Sequence, residues 1–578
     1  MDNQKLAELL FPHITRTPED LQRQYPPRNL PEGAMVTRMG PSPTGFIHLG
    51  NLYGAFVDER MAHQSGGTFY LRIEDTDDKR YVEGAVETIT SSLDFFGIGF
   101  DEGAEIGGAY GPYYQSRRAE IYQIFVRDLV RRGRAYPCFL TEEELAAIRA
   151  EQEANKETTG IYGKYAEQSR NLTLEEIAAN LTAGKPYVVR LRSKGNAIDP
   201  AHCCRESGAV CEGVSGARYV NHNGTIYIHV KDAIRGEVSM PANDQDVVIL
   251  KATGIPTYHF AHAVDDHLMG TTHVVRGEEW LMSLPVHIEL FDALGFPAPV
   301  YCHTAVLMKL DDETGNRRKL SKRRDPELSL DYYRREGYHP RAVKEYLMTI
   351  LNSDFEAWRT ANPDMSLEEF PFSTEKMNSA GALFDLNKLN DISKDVLLRI
   401  PAEELADFLT DWARLTRPEL VPLFTDEAGG YGPEYLAKIL DLGRSGRTPR
   451  KDLIFCRQIF DFICYFFDEY FHIEETVPEN VTDEDAREIL RRYLDTCDHS
   501  DDQSQWFDKI RAIAVGMGYA AKPRDYKKHP EDYKGHVGHV STVIRLAVMG
   551  RTQSPDVWEI QQILGEDRTR ARISALLV

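Results

Sequence analysis

The sequence predicts an α/β domain with a parallel sheet, split by an α+β insertion and followed by mainly α-helical domains. Three observations carry this. Strand and helix periodicities alternate over 34–112 and again over 241–330, the pattern of a parallel sheet with crossover helices. The stretch between them reads as helices followed by antiparallel strands. Beyond 331 helical spacing dominates.

In chain order, "MDNQKLAELLFPHITRTPED" predicts a short amphipathic helix in an N-terminal extension, 1–33; it lacks the charged and apolar regions of a secretion signal. The first α/β half, 34–112, opens with the strand "AMVTRMG", crosses by "LYGAFVDERMAHQ", returns in "GGTFYLRIEDTD" and adds the helix "VEGAVETITSSLDFFG", closed by Gly97. The insertion, 113–240, begins with the helix "RRAEIYQIFVRDLVRRG" and a Thr-capped helix at "TEEELAAIRAEQEANKE". Its strands are "KPYVVRLRSKG" and "TIYIHVKDAIRGEVSMP"; the polar stretch 196–224 between them predicts an exposed excursion. The second α/β half, 241–330, ends in the basic loop "RRKLSKRRD". Two helical regions follow, 331–405 and 406–578; in the second, "FCRQIFDFICYFFDEYF" predicts one buried aromatic helix.

Bulk properties bound the function. At about 100–200 residues per domain, 578 residues imply several domains. No apolar run approaches the roughly 20 residues of a membrane span. Eight cysteines without a CxxC pair make no disulfide framework, so a reduced, cytoplasmic protein is expected. The net charge of −22 argues against a nucleic-acid partner only weakly. Screening within about 8 Å lets local basic faces meet phosphates.

"TRMGPSPTGFIHLGN" places His48 where a strand turns into a helix, with Gly45 and Gly50 allowing close backbone approach. Helix N-termini at the carboxyl ends of parallel strands collect anions. "KLSKR" at 319–323 offers Lys322, a compact cation suited to a triphosphate. Each motif alone reads as a satisfied turn histidine or a solvated basic loop. Together "HLGN" and "KLSKR" resemble the two signatures of class I aminoacyl-tRNA synthetases. "LRIEDTDDKRYVEGA", "GPYYQSRR", "PTYHFAHAVDDHLMG", "HVVRGEEWL" and "FDLNKL" follow in the order of bacterial glutamyl-tRNA synthetases, out to about residue 390.

The resemblance implies a Rossmann-type catalytic domain that makes glutamyl-adenylate from L-glutamate and ATP with Mg2+, then transfers glutamate to tRNA(Glu). It makes His48 and Lys322 the catalytic pair and adds Gly50, Asn51, Lys319 and Ser321 to the ATP site. It gives the glutamate side-chain carboxylate to Arg38, on the strand-end loop one turn before His48. Arg276 takes the other carboxylate, Glu74 the ammonium, and Ser42 and Tyr258 add hydrogen bonds. The competing reading of Arg276 is a structural salt bridge with Glu278 or Glu279. The role of His262 stays open. The insertion is expected to bind the acceptor stem, 331–405 to contact the tRNA stem and 406–578 to bind the anticodon. In that last region Arg444, Arg447, Arg450 and Lys451, then Lys527 and Lys528 interleaved with Tyr519, Tyr526 and Tyr533, would meet phosphates and stack on bases.

Some family members hold zinc through cysteines near "YPCF". Cys138 has no nearby cysteine partner, and His202, Cys203, Cys204, Cys211 and His222 match no zinc spacing, so no zinc is expected. A monomer is expected. The alternatives are an enzyme that also glutamylates tRNA(Gln), a glutaminyl enzyme, or an inactive tRNA-binding regulator. Retention of His48, Lys322 and the pocket charges disfavours the last.

Overall fold

The computed structural model describes residues 2–44, 47–77, 82–194, 208–311, 313–379, 381–426, 430–444 and 449–577. Gly45, His202, Cys203, Cys204 and Arg447 lie outside them. The chain forms two compact units: Met1–Leu330 with Lys344–Asp385, and Asp331–Val343 with Leu386–Val578.

The first unit begins with helices α1 (Asn3–Leu10) and α2 (Pro18–Gln24), the latter started by a capping box at Thr17. Leu6, Leu10 and Leu21 are buried in one core with Ile121, Phe125 and Leu129, so the N-terminal segment packs as part of the domain. Strand β1 (Val36–Met39) leads to α3 (Leu49–Gln64), and β2 (Thr68–Leu71) to α4 (Ala85–Phe95) and β3 (Glu102–Gly103). β1, β2 and β3 are parallel neighbours, with Val36 opposite Thr68. β1 and β2 are buried at every position, as a parallel sheet covered on both faces requires. Gly97 closes α4 at φ +67°, a conformation that favours glycine.

The insertion carries α5 (Ala119–Arg131), β4 (Ala135–Cys138), α6 (Glu142–Ala154), α7 (Lys164–Arg170), α8 (Leu174–Thr182) and β5 (Val188–Leu191). Thr141 caps α6 as expected. One expectation is corrected. The described part of the excursion contains two strands: β6 (Val210–Glu212) pairs with β7 (Arg218–His222), and β7 with β8 (Thr225–Asp232), which pairs with β9 (Gly236–Pro241). Val210 faces Val220, and the turn between these strands passes through Gly216 at φ +83°. Alternation in two short strands was hidden by polar outward positions.

The second half adds β10 (Val248–Leu250), α9 (Tyr258–Leu268), β11 (His273–Gly277), α10 (Leu284–Leu294) and β12 (Val300–Thr304). β11 and β12 are parallel, and β12 meets β8 at Tyr301 and Asp232. The Thr272 amide donates to the Val36 carbonyl at 2.9 Å, setting β11 beside β1. The parallel row therefore runs β3, β2, β1, β11, β12. A small sheet, β13 (Leu307–Leu310), β14 (Arg317–Lys319) and β15 (Ala382–Leu383), follows.

The second unit is helical. Leu405, Leu409, Leu436, Ile459, Ile489, Ile510, Val540 and Ile573 share one core. The aromatic run is not one helix: Cys456–Ile463 is helical, Cys464–Phe466 is a 3-10 turn, and Phe467 is extended. The break lets Phe466 and Phe467 both bury completely, which adjacent residues on a continuing helix, about 100° apart, do less readily.

Candidate active site

A cavity of about 570 Å³ opens at the carboxyl ends of β1, β2, β11 and β12. His48 is the N-cap of α3, and its backbone amide donates to Asn51 Oδ1 at 3.0 Å. A Cβ at Gly50 would come within 3.0 Å of the His48 ring, so glycine lets the imidazole lie over the first helical turn. The amino-terminal end of a helix favours an anion. Burial, then the Lys322 and Lys319 charges, hold His48 below its usual pKa. The neutral ring can still donate one hydrogen bond.

Arg38 lies within β1, almost fully buried, as the strand "AMVTRMG" predicts; only its assignment to the loop before His48 is corrected. Alternation along the strand turns it toward the cavity it lines. Its Nε is 3.4 Å from Asp266 Oδ1, while Arg72 Nη1 donates to the same oxygen at 2.5 Å. Arg72 Nη2 also donates to Glu74 Oε1 at 3.1 Å. Glu74 reaches into the cavity over Gly40, where any Cβ would strike its carboxylate. Burial raises the Glu74 pKa against the pull of Arg72 and Arg38. Asp58, on α3, also lines the cavity; burial drives its carboxyl well above the usual range.

Arg276, at the end of β11, is not salt-bridged to Glu278 or Glu279. Arg235 takes Glu278. Arg276 Nε donates to His303 Nε2 at 2.9 Å, and Nη1 meets His287 Nδ1 at 2.9 Å. The guanidinium stacks over Tyr301, 4.5 Å from the ring centre, and its buried Nη2 has no protein partner. Arginine only donates, so both imidazoles must accept. His303 then presents its Nδ1 proton to Asp232 Oδ2 at 2.7 Å. The site thus holds a buried cation through two neutral rings.

Tyr258 starts α9 and lines the cavity beside Trp280, ring centres 4.6 Å apart; burial pushes its pKa up to about 12. His262, one turn on, is fully buried and stacks on Tyr258 at 11°. Its Nδ1 lies 2.6 Å from Asp266 Oδ2 and its Nε2 3.1 Å from Tyr301 Oη. Burial lowers its pKa to about 4. Its place is behind the pocket, where it ties Tyr258 and Tyr301 to the Asp266 that Arg38 and Arg72 share.

Ser42, Gly50, Asn51 and Lys319 line the cavity; Ser321 and Lys322 do not. They form the turn after β14, which Asp325 holds by accepting from Ser321 N at 2.8 Å and from Arg318 at 2.6 and 2.8 Å. Lys322 is exposed and close enough to perturb His48.

Sequence reading did not find Arg72, Asp266, His287, His303 or Asp232. "YLRIED" and "HAVDDHLM" carry the first two, but the contact spans 194 positions. The basic clusters of the second unit divide. Arg444 donates to the Leu397, Leu398 and Ile400 carbonyls, and Arg450 makes a fork with Asp452 at 2.7 and 2.9 Å. Lys451 pairs with Asp395 at 2.8 Å on the surface. Lys527 and Lys528 are exposed on the helix Pro523–Lys528. Tyr519 is buried, its hydroxyl 3.1 Å from Asp485, which removes it from any stacking surface.

Comparison with known proteins agrees with this geometry. A family model described as tRNA synthetases class I (E and Q), catalytic domain, matches residues 34–201 and 215–390, and an anticodon-binding-domain model matches 525–577. A glutamate–tRNA ligase of Acetivibrio thermocellus is 58% identical, with all of both chains covered. One from Thermus thermophilus is 33% identical over 94% of this chain and 100% of its own. The crystal structure of a glutamate–tRNA ligase from Elizabethkingia meningosepticum, in complex with its amino acid, is 27% identical with TM-score 0.72. It covers 94% of this chain and 99% of its own. With the parallel sheet, the His48-capped helix and the paired guanidiniums in one cavity, these matches establish that the chain belongs to the glutamate–tRNA ligase family of class I tRNA synthetases.

Proposed function

We propose that the protein activates L-glutamate with ATP and transfers it to the 3′ end of tRNA(Glu). The observation that carries this reading is the charge pattern of the cavity. Two buried guanidiniums, Arg38 and Arg276, face it with the Glu74 carboxylate, a set that can meet two carboxylates and an ammonium; Asp58, whose carboxyl burial drives well above the usual range, and Asp77 and Glu279 make up the rest of its acidic lining. Arg276, whose Nη2 has no protein partner, takes one carboxylate, and Arg38 reads the side chain. Ser42 and Tyr258 add hydrogen bonds.

The cavity continues to the first turn of α3. There His48 and the helix amides receive the triphosphate, with Gly50 and Asn51 beneath it and Lys319, Ser321 and Lys322 above. The glutamate α-carboxylate oxygen attacks the α-phosphorus; the bond to the β-phosphate oxygen breaks and pyrophosphate leaves. His48 and Lys322 stabilise charge that grows on the phosphate oxygens, the kind of contact that lowers the barrier without covalent help. The terminal ribose hydroxyl of the tRNA then attacks the carbonyl and AMP leaves. Mg2+ accompanies ATP, held mainly by phosphate oxygens, as this cation prefers. No zinc enters the reading: Cys138 is buried beside Ser169.

The insertion receives the acceptor stem, 331–405 the stem, and 406–578 the anticodon. Lys451, Lys527 and Lys528 meet phosphates there; Arg444 and Arg450, held within the fold, are left out. The protein works as a cytoplasmic monomer. Among the described residues no helix is long and apolar enough to cross a membrane. The test is glutamate-dependent ATP–pyrophosphate exchange with and without tRNA(Glu). Exchange should need both glutamate and tRNA. Its absence with both present would overturn the reading.

A further inference from the structure

A second cavity, about 370 Å³, lies in the first unit between α6, β5 and the start of α9. Its floor is apolar, built by Leu145, Ile148 and Val248. Beside Gln152, Gln245 and Asp246, its polar lining carries two guanidiniums. Arg149 is exposed on α6. Arg190, 9% exposed, donates through Nη1 to the Asp246 carbonyl at 2.9 Å, and its buried Nε has no partner. The acid at the wall, Asp246, is already neutralised. Its carboxylate accepts from Arg170 Nε at 2.6 Å, Tyr136 Oη at 2.5 Å and Ser193 N at 2.9 Å.

The N-terminus of α9 opens at the same place. Thr257, its N-cap, donates its hydroxyl back to the Val248 carbonyl at 2.7 Å, so no side chain caps the first turn. Uncapped amides and an orphaned guanidinium nitrogen favour an anion. His259, next along α9, also lines this cavity, and it is connected to the glutamate pocket. Its Nδ1 is 2.8 Å from His287 Nε2, and His287 Nδ1 is 2.9 Å from Arg276 Nη1. Because Arg276 can only donate, His287 must carry its proton on Nε2 and give it to His259 Nδ1. That leaves His259 with Nε2 as its donor.

We propose that this second cavity binds a phosphate group, and that its occupancy is felt in the glutamate pocket through His259, His287 and Arg276. A phosphate oxygen accepting from His259 Nε2 fixes that ring and, through His287, the guanidinium; successive hydrogen bonds polarise one another in the same sense. Linkage makes the effect mutual, so glutamate tightens phosphate as much as phosphate tightens glutamate. The site stands on its own geometry; the coupling rests on Arg276 holding glutamate.

The full-length protein is titrated calorimetrically with inorganic phosphate, and separately with a short RNA duplex carrying a single-stranded 3′ tail. Arg149→Ala, on the exposed face of α6, should weaken the binding of one or both probes tenfold or more and leave glutamate affinity in phosphate-free buffer unchanged. Arg190→Met should do the same to the probes. Lys322→Ala, at the other phosphate-binding end, should not abolish it. Loss with inorganic phosphate assigns a free anion; loss with the RNA alone assigns a phosphodiester. Binding of both probes that is indifferent to Arg149 and Arg190 overturns the site. In wild type, saturating probe should tighten glutamate about fivefold or more, a typical coupling, and His259→Phe should remove that gain. A probe that binds through Arg149 without changing glutamate affinity overturns the coupling alone. Failure of glutamate to bind wild type under any condition instead overturns the function proposed above.

Discussion

Glutamate and glutamine have the same shape, so the pocket has to tell them apart by charge and donor pattern. Arg38, which lines the cavity, is the residue we propose does so, and Arg38→Gln tests it. The substitution is tolerable for the fold because Asp266, the acid that Arg38 shares, keeps its 2.5 Å contact with Arg72. What is lost is a guanidinium fork that donates twice to a carboxylate. At roughly 1.5–3 kcal/mol per hydrogen bond to a charged group, the loss is about 3–6 kcal/mol, or roughly 10²–10⁴ in kcat/KM for glutamate. Glutamine suffers less, since an arginine facing an amide leaves one donor against an NH₂, a mismatch that supports discrimination of about 10⁴-fold in wild type. The assay is kcat/KM for both amino acids in both proteins, with tRNA(Glu) present. Wild type should prefer glutamate strongly and the variant should lose most of that preference. A variant as selective as wild type would refute the assignment and transfer the side-chain contact to Arg276.

Lys322→Ala should slow adenylate formation by about a hundredfold or more, the usual cost of one transition-state contact, with tRNA affinity unchanged; normal exchange kinetics would exclude Lys322 from the chemistry. Asp58→Asn should raise the melting temperature at pH 7.5. With its folded pKa raised, native Asp58 keeps a proton that the unfolded chain releases above about 3.9, so stability falls as pH rises through that window. The gain should shrink toward pH 4, and a gain equal at every pH would contradict the burial argument. His262 has the opposite sign. Its pKa is about 4 folded against 6.5 unfolded, so the unfolded chain takes up the proton first and stability is lost as pH falls from 6.5 toward 4. The shift corresponds to roughly 3 kcal/mol, and His262→Asn should flatten that part of a urea-denaturation pH profile; an unchanged slope would show that His287 and the carboxylates account for it.

What could be read from the sequence was what local spacing encodes. His48 and Gly50 lie two apart, and both their helix-starting role and their closeness follow from that. Lys319 and Lys322 stand out as charge in a short loop. Contacts between distant segments were not legible. Nothing in "YLRIED" says that Arg72 shares Asp266 with Arg38. Charge clusters were legible as charge but not as partners: Arg444 answers the carbonyls at a helix end, which no composition shows.

Arg276 illustrates the limit best. With Glu278 and Glu279 two and three positions away, a salt bridge is the competing reading of "VVRGEEW". Strand geometry decides otherwise. The 3-10 turn that follows β11 carries Glu278 to Arg235, and the facing positions are His303 on β12 and His287 on α10. The difference is functional. A carboxylate partner would cancel the charge of Arg276 before any substrate arrived, and a ligand carboxylate would then have to compete with it. Two imidazoles, kept neutral by burial and by the arginine itself, fix the orientation of the guanidinium while leaving its charge uncancelled. Desolvating that charge is costly for the empty protein, and the cost is recovered when an anion enters. The same neutral histidines link Arg276 to His259 through hydrogen-bond distances of 2.9 and 2.8 Å, so in the reading proposed here substrate binding and communication rest on one choice of partner.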